Sequence, residues 1–448
     1  MEKTRLAPAE LQANFADLHP NYTRDEAVAE ASKCLYCYDA PCTRACPTHI
    51  DVPRFIRQIL HGNVSGAAET ILDANILGGS CARACPTEVL CEGACVDQAR
   101  AGAPIEIGRL QRYATDYALD RGLTFFEPGP ATGKRVAVIG SGPAGLSCAH
   151  ELRRLGHEVT LLEARDVPGG LNTLGIAAYK ISREYSLREI QPILDMGVDL
   201  RLNTRVDGPA LEKLLKDYDA VFLGVGLGST QRLDLPGEDF EGVWEALEFI
   251  YQMHDRPLAD CKVGRNVVVI GCGNTAIDAA TASVRLGAER VTITYRRSPA
   301  EKSAYNYEYD LGKQDGVSFE WFASPVEFVG SSGKLTGLKC IRTRLAPGAG
   351  RAGKLEEIAG SEFVIPCDMA IKALGQSPVL DLLEKVAGVE FGRSGVKVDP
   401  QTHSTTRAGL FAGGDCTSKG KEIVNAVQDG KLAARSIDQY LSRKGARA

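Results

Sequence analysis

The chain has 448 residues, a formal net charge of −5 and 44% hydrophobic residues. That length suits about three domains. The composition supports ample globular cores, and the lack of a basic excess makes nucleic acid an unexpected partner. No apolar run approaches the roughly 18 residues that span a membrane. The opening Met1-Glu-Lys-Thr-Arg-Leu6 carries no apolar export core, so a cytoplasmic location is expected.

Residues 1–130 read as short helices set around cysteines. Thr23-Arg-Asp-Glu26 is a capping box that starts a helix leading to Cys34. Asp51 caps a second helix, with Phe55, Ile56, Ile59 and Leu60 on its apolar side. Ser65 is expected to open a third. A fourth follows Pro104, with Ile107, Leu110, Ala114 and Tyr117 facing inward. Gln111 falls in the middle of that face. The pattern leaves two readings open: an amide bonded to loop backbone, or an oxygen aimed at something electron-poor among the cysteines.

Eight of the 14 cysteines lie in the first 95 residues: Cys34, Cys37, Cys42, Cys46, Cys81, Cys85, Cys91 and Cys95. The others (Cys148, Cys261, Cys272, Cys340, Cys367 and Cys416) are scattered singly and read as packing. In a cytoplasmic chain, clustered thiolates point to metal or redox chemistry rather than disulfides. Zinc sites usually pair two CxxC or CxxC/HxxxH units, and only Cys34/Cys37 has that spacing. Cys34-x2-Cys37-x4-Cys42-x3-Cys46-Pro47 instead has the compact form of an iron–sulfur run ending in Cys-Pro, echoed by Cys85-Pro86. Iron–sulfur is the preferred reading, and eight thiolates suit two four-iron clusters.

After a Gly- and Pro-rich linker (125–134) comes an unbroken apolar strand, Arg135-Val-Ala-Val-Ile139. It leads into Gly140-Ser-Gly142-Pro143-Ala144-Gly145, a helix, and a strand ending in Glu163. The strand–GxGxxG–helix setting, with an acid 23 residues after Gly140, is a dinucleotide-binding signature. The glycines let backbone approach a pyrophosphate at a helix N-terminus, and the acid accepts from a ribose. A second copy runs Asn266-Val-Val-Val-Ile270, Gly271-Cys-Gly273-Asn274-Thr275-Ala276, a helix, and a strand ending in Arg296-Arg297. Here cations stand where the first copy has Glu163, and Lys302 adds another. Cations suit a 2′-phosphate, so NADP is favoured over NAD, the alternative being a solvated arginine loop.

Two units imply two different dinucleotides. Thr406-Arg-Ala-Gly-Leu-Phe-Ala-Gly-Gly414-Asp415 resembles the stretch of glutathione-reductase-type flavoproteins in which such an Asp binds the ribityl chain of FAD. Val221–Gly226 and Ala370–Gly375 resemble the crossings between their domains, and Pro168-Gly-Gly170-Leu171 resembles the flavin-side turn. The expected fold is α/β, with a helical double 4Fe-4S domain (1–130) ahead of two Rossmann-like domains. FAD would occupy a split domain (131–240 and 371–448) and NAD(P) the insert (241–370). Outside the first 95 residues no cysteine pair has redox spacing. No acid–base constellation is evident either. Hydride transfer at flavin N5 therefore needs positioning and no strict catalytic side chain, and electrons would leave through the cysteines.

In this order of parts the chain resembles the small subunit of glutamate synthase and the N-terminal half of dihydropyrimidine dehydrogenase. The stretch Cys85-Pro-Thr-Glu-Val-Leu-Cys91, followed by Ala-Pro-Ile-Glu-Ile-Gly-Arg-Leu-Gln111-Arg-Tyr-Ala-Thr, is similar to the dihydropyrimidine dehydrogenase branch. The glutamate synthase branch has Glu where Gln111 stands. The resemblance implies one cluster on Cys34, Cys37, Cys42 and Cys95. It implies another on Cys46, Cys85, Cys91 and Gln111, with Cys81 a neighbour. It also implies Lys180 at the flavin, in place of an arginine. The implied role is electron input from NAD(P)H through FAD and the clusters to a separate FMN- and iron–sulfur-containing barrel subunit that reduces uracil or thymine. The rival readings are a glutamate synthase small subunit, a free-standing NAD(P)H:ferredoxin reductase, and a zinc-stabilised scaffold without activity.

Overall fold

The structure, a computed structural model, describes residues 6–346, 353–379 and 386–445. Residues 1–5, where the chain was expected to lack an export core, lie outside them. The chain folds as two compact units. One comprises Met1–Leu18, Leu174–Ser182 and Ser229–Ser377, and the other His19–Thr173, Arg183–Gly228 and Pro378–Ala448.

The larger unit combines the cysteine helices with a nucleotide-binding sheet. That sheet is wholly parallel, in the order Leu410–Ala412, Ala220–Leu223, Arg135–Ile139, Glu158–Leu162, Asp199–Arg201. Its central strands are apolar along their length because helices cover both faces. Val136, Val138 and Leu161 meet Leu146, Ala149, Ala433 and Ile437 of the helices Pro143–Arg154 and Ile423–Gly445. Ala137, Ile139 and Val221 pack on the other side with Leu211 of Gly208–Asp217.

The cysteine helices enclose their own core of Phe55, Ile56, Ile59, Ala68, Ile71, Ile107 and Leu110. Thr23 and Glu26 form the expected capping box, and Asp51 accepts from the Arg54 amide at 3.2 Å. The third helix, Val64–Ala74, starts earlier than expected. Asn63 caps it through the Gly66 amide at 3.0 Å, and Ser65 sits inside its first turn. Asn is as good a cap as Ser, and here it follows a helix-ending Gly62 with φ +78°.

The smaller unit holds a second parallel sheet, in the order Val243–Glu245, Met369–Lys372, Asn266–Ile270, Arg290–Tyr295, Ser318–Trp321. An antiparallel sheet of Ala323–Ser331, Lys334–Leu345, Leu355–Glu357 and Phe363–Pro366 adjoins it in sequence. The short helix Pro8–Asn14 belongs to this unit and not with the cysteines. Its Leu11 is buried in the core with Phe249, Ile277 and Ile371, and Asn14 Nδ2 donates to the Arg285 carbonyl at 3.0 Å.

Candidate functional site

Each glycine-rich turn joins the end of a central strand to a helix. In the larger unit Gly142 caps the helix Pro143–Arg154, and no atom lies within 4 Å of where its Cβ would stand. Gly145 is the opposite case: a Cβ there would meet the Gly140 carbonyl oxygen at 1.8 Å, so only glycine lets helix and strand come together. Glu163, at the tip of the neighbouring strand, is buried. It accepts from the Ser141 amide at 2.9 Å, the Ser141 hydroxyl at 2.6 Å and the Arg165 amide at 2.9 Å. The turn 168–171 comes to the same place. A Cβ on Gly170 would meet Gly142 Cα at 2.9 Å, and the Gly169 amide donates to the Ser141 carbonyl at 3.0 Å. Leu171 is partly exposed beside it.

Gly414 closes the cradle, its absent Cβ facing that of Ala144 at 2.9 Å. Asp415 follows it, with burial raising its carboxyl above the usual range. The structure therefore brings together the turns that carry Gly140, Gly142, Pro143, Ala144, Gly145, Gly170, Leu171, Gly414 and Asp415, with Glu163 bonded to Ser141 and open space at Gly142. Asn172 Oδ1, in the same turn, is buried without a partner among the described residues. An open glycine cradle with an orphaned acceptor beside it fits a flavin dinucleotide.

Lys180 has charged partners that the sequence did not suggest. Its ammonium is buried in the smaller unit, 2.7 Å from Asp278 Oδ1 and also bonded to Glu308, while the Tyr179 hydroxyl donates to Asp278 at 3.0 Å. Burial by itself would lower the Lys180 pKa, but the two carboxylates outweigh it and raise it. The physical reason for the pairing is desolvation: a buried ammonium must be paired, and these two carboxylates balance its charge.

The second glycine-rich turn is in the smaller unit. Gly271 has φ +119°, and a Cβ there would meet the Ala373 carbonyl oxygen at 2.3 Å. Gly273 caps Asn274–Arg285, the helix that carries Thr275 and Ala276 in its first turn. Asn274 Oδ1 accepts from the Tyr305 amide at 3.0 Å and ties the turn to the next loop. Arg296 is exposed at the strand tip. Arg297 Nη1 is buried with no partner among the described residues. Lys302 donates to Asn306 at 2.8 Å and lies over the Tyr309 ring. An orphaned guanidinium donor at this tip suits an anionic ligand oxygen.

The cysteines sort into two groups. Cys34, Cys37, Cys42 and Cys95 line one small, mainly apolar pocket, walled by Ile56 and Ile105. Burial, with Cys34 and Cys95 adding to it, pushes the Cys42 thiol up to about 11. In the other group the Cys85 thiol is hydrogen-bonded to the free Cys81 thiol and feels Cys91 and Cys46, which together with burial raise it well above its usual value. Crowded thiols of this kind favour deprotonation only when a cationic centre takes them. Clustered thiols of this kind have the donor chemistry of an iron–sulfur site. Gln111 is buried on Ile107–Asp120, and its Nε2 donates to the Gly78 carbonyl at 2.6 Å. That bond goes to backbone as in the first reading of this amide, though to the first residue of the helix Gly78–Ala84 and not to a loop, and it leaves the oxygen for the second.

The chain is similar to known proteins along most of its length. Residues 11–123 match the family model for dihydropyrimidine dehydrogenase domain II, 4Fe-4S cluster, and residues 134–430 match that for pyridine nucleotide-disulphide oxidoreductase. The chain belongs to the pyridine nucleotide-disulphide oxidoreductase family. Two full-length relatives extend the match. One is the glutamate synthase (NADPH) small chain of Escherichia coli K12, 35% identical over 446 residues, covering 95% of this chain and 94% of that one. The other is the NAD-dependent dihydropyrimidine dehydrogenase subunit PreT of the same strain, 36% identical over 432 residues, with 96% and 98% covered.

Among solved structures, Mycobacterium tuberculosis FprA in complex with NADPH aligns with TM-score 0.57 at 20% identity over 71% of this chain and 87% of that one. At that identity it shows a shared fold. This oxidoreductase is thus of the iron–sulfur, flavin and NAD(P)-dependent type that feeds electrons onward. Among the described residues of this oxidoreductase, no helix is long and apolar enough to cross a membrane.

Three features escaped the sequence analysis: the Lys180–Asp278–Glu308 cluster, the Arg83–Asp116 pair at 2.7 Å, and a buried Glu189 bonded to Gly79 and Ser80. All join residues far apart in the chain. The only local signal was the presence of charged residues on otherwise apolar helix faces.

Proposed function

We propose that this chain is the electron-input subunit of a dihydropyrimidine dehydrogenase, working in the cytoplasm. It would accept hydride equivalents from NAD(P)H, with NADP(H) favoured, and deliver electrons to a separate FMN- and iron–sulfur-containing barrel subunit that reduces uracil or thymine. The proposed division is iron–sulfur (1–130), FAD (131–240 and 371–448) and NAD(P) (241–370). FAD and two 4Fe-4S clusters, when bound, supply the conversion of a two-electron donor into single electrons.

The residues' part is to hold and orient. Cys34, Cys37, Cys42 and Cys95 would ligate one cluster, and Cys46, Cys85, Cys91 and Gln111 the other. Arg296, Arg297 and Lys302 would hold the 2′-phosphate. The observation that carries the reading is the buried Gln111, fixed through its nitrogen beside the helix of Cys81. A glutamine there is the feature that separates this branch from the glutamate synthase one.

The test is reconstitution. The anaerobically purified chain is expected to carry about eight irons. With an FMN barrel subunit encoded by a neighbouring gene, it should oxidise NADPH in response to uracil. The relative at 35% identity over 446 residues favours a second reading, a glutamate synthase small chain. Coupling to a large amidotransferase subunit with glutamine and 2-oxoglutarate, and not to the barrel, would replace the first reading by the second. Stoichiometric zinc without iron would sink both.

Two variants probe the ligand assignments. Arg296→Ala combined with Arg297→Ala should raise the Michaelis constant for NADPH about tenfold to a hundredfold, the loss of a charged hydrogen bond being about 1.5–3 kcal/mol. NADH should be little affected, and an equal effect on both coenzymes removes the phosphate role. Gln111→Ala should alter the EPR spectrum of one cluster with flavin still bound. Unchanged iron and an unchanged spectrum would strike Gln111 from the ligands.

A further inference from the structure

The helix Gly78–Ala84 ends at Cys85 and contains Cys81. Its first turn is held by an unusual set of buried contacts within the larger unit. Glu189, from the helix Arg183–Asp195, accepts from the Gly79 amide at 2.7 Å, from the Ser80 amide at 3.0 Å and from the Ser80 hydroxyl. Asn172 Nδ2, two residues after Gly170 of the flavin-side turn, donates to the same Ser80 hydroxyl at 2.8 Å. Gln111 Nε2 holds the Gly78 carbonyl from the other side at 2.6 Å. Ser80 is fully buried, and Asn172 and Glu189 are nearly so.

Two further facts show that this closeness is built in. Gly79 has no space for a side chain: a Cβ would meet the Tyr185 hydroxyl oxygen at 1.8 Å and Glu189 Oε1 at 2.9 Å. Asn172 uses only its nitrogen here, because its oxygen is buried without a partner among the described residues. A serine or asparagine cap could satisfy the helix start without the desolvation cost of a buried carboxylate. A buried carboxylate bonded through both oxygens instead fixes one geometry.

We infer that Asn172, Ser80 and Glu189 are positioning residues that lock the helix bearing Cys81 and Cys85 to the flavin-side turn, so that the cluster of the second cysteine group is held in register with the flavin. Asn172 is the bridge: its free oxygen faces the role of acceptor for the bound flavin, and its nitrogen is on the cluster's helix. The inference rests on the proposed reading that Cys85 and Gln111 hold a cluster. Changing residues that support metal ligands from behind typically costs about 10- to 100-fold in metal affinity or activity.

The test uses the full chain, purified anaerobically with flavin and iron, and the variants Ser80→Ala and Glu189→Gln. NADPH should reduce the flavin at the parent rate. The EPR line shape and midpoint potential of one cluster should move while those of the other stay. Electron arrival on the iron, followed by stopped flow, should slow about 10- to 100-fold. Ser80→Thr, which keeps the hydroxyl, should restore much of the parent behaviour. Parent-like spectra, potentials and transfer rates in both variants would overturn the inference. So would a uniform loss of iron and flavin that Ser80→Thr does not rescue, since that marks a purely structural contact. A parent chain carrying flavin but no iron takes down the cluster reading and this inference together, whereas an iron-loaded parent with unaffected variants takes down this inference alone.

Discussion

Lys180→Met is expected to destabilise the smaller unit by about 3–5 kcal/mol, the usual cost of removing one partner from a buried ion pair. The variant is close in volume, so little of the loss comes from packing. What remains is Asp278 and Glu308, both buried, with no cation between them. For a unit of this size that corresponds to a drop of about 6–20 °C in its melting transition, at about 2–4 °C per kcal/mol.

The pH dependence gives the cause away. Glu308 already titrates above the usual carboxylate range because it is buried, although Lys180 pulls it back down. Without Lys180 it rises further. A carboxyl whose folded pKa is raised is stabilising only while protonated, and its contribution is lost as pH climbs above the ordinary carboxylate value. The deficit of the variant should therefore be small near pH 4–5 and full at pH 8. Thermal scans of parent and variant across that range decide it. A deficit that is flat with pH, or below about 1 kcal/mol at pH 8, contradicts the paired-charge account.

Cys42→Ser should remove one cluster and leave the rest. Cys42 shares its pocket with Cys34, Cys37 and Cys95, and three thiolates with a weakly coordinating hydroxyl do not secure a cubane. Iron should fall from about eight to about four per chain, with flavin content and NADPH-driven flavin reduction retained. Cys95→Ser should behave alike despite lying 53 residues away in sequence. Cys148→Ser, at a thiol packed against the first sheet, should change neither iron nor spectra. Iron and sulfide assays with EPR read the outcome, and full iron in Cys42→Ser would dissolve the proposed group.

Much of this was legible because the signals were local. The strand–turn–helix units at Gly140 and Gly271 repeat one spacing, and unbroken apolar strands such as Arg135–Ile139 announced a sheet covered on both faces. The cap at Thr23 lay three residues from its partner. The pairing of Cys95 with Cys34 instead of its neighbour Cys91 was accessible only by resemblance, because no spacing rule reaches across 61 residues. The buried pairing of Lys180 was silent for the same reason. Its partners Asp278 and Glu308 are about a hundred residues downstream, on helices whose exposed-looking acids gave no sign of turning inward. Glu189 was silent as well, an ordinary acid on an amphipathic helix until Gly79 and Ser80 came to meet it.

The placement of Pro8–Asn14 has a consequence for how the chain is made. Leu11 packs in one core with Ile371, 360 positions later. The larger unit likewise needs the strand Leu410–Ala412 to complete its sheet edge beside Ala220–Leu223. At about 5–20 residues per second, the opening helix waits about 20–70 s for its partners. Neither unit can close before most of the chain has emerged, and such high contact order slows folding. During that interval the eight N-terminal thiols are already out, and iron delivery must compete with oxidation for a half-built protein.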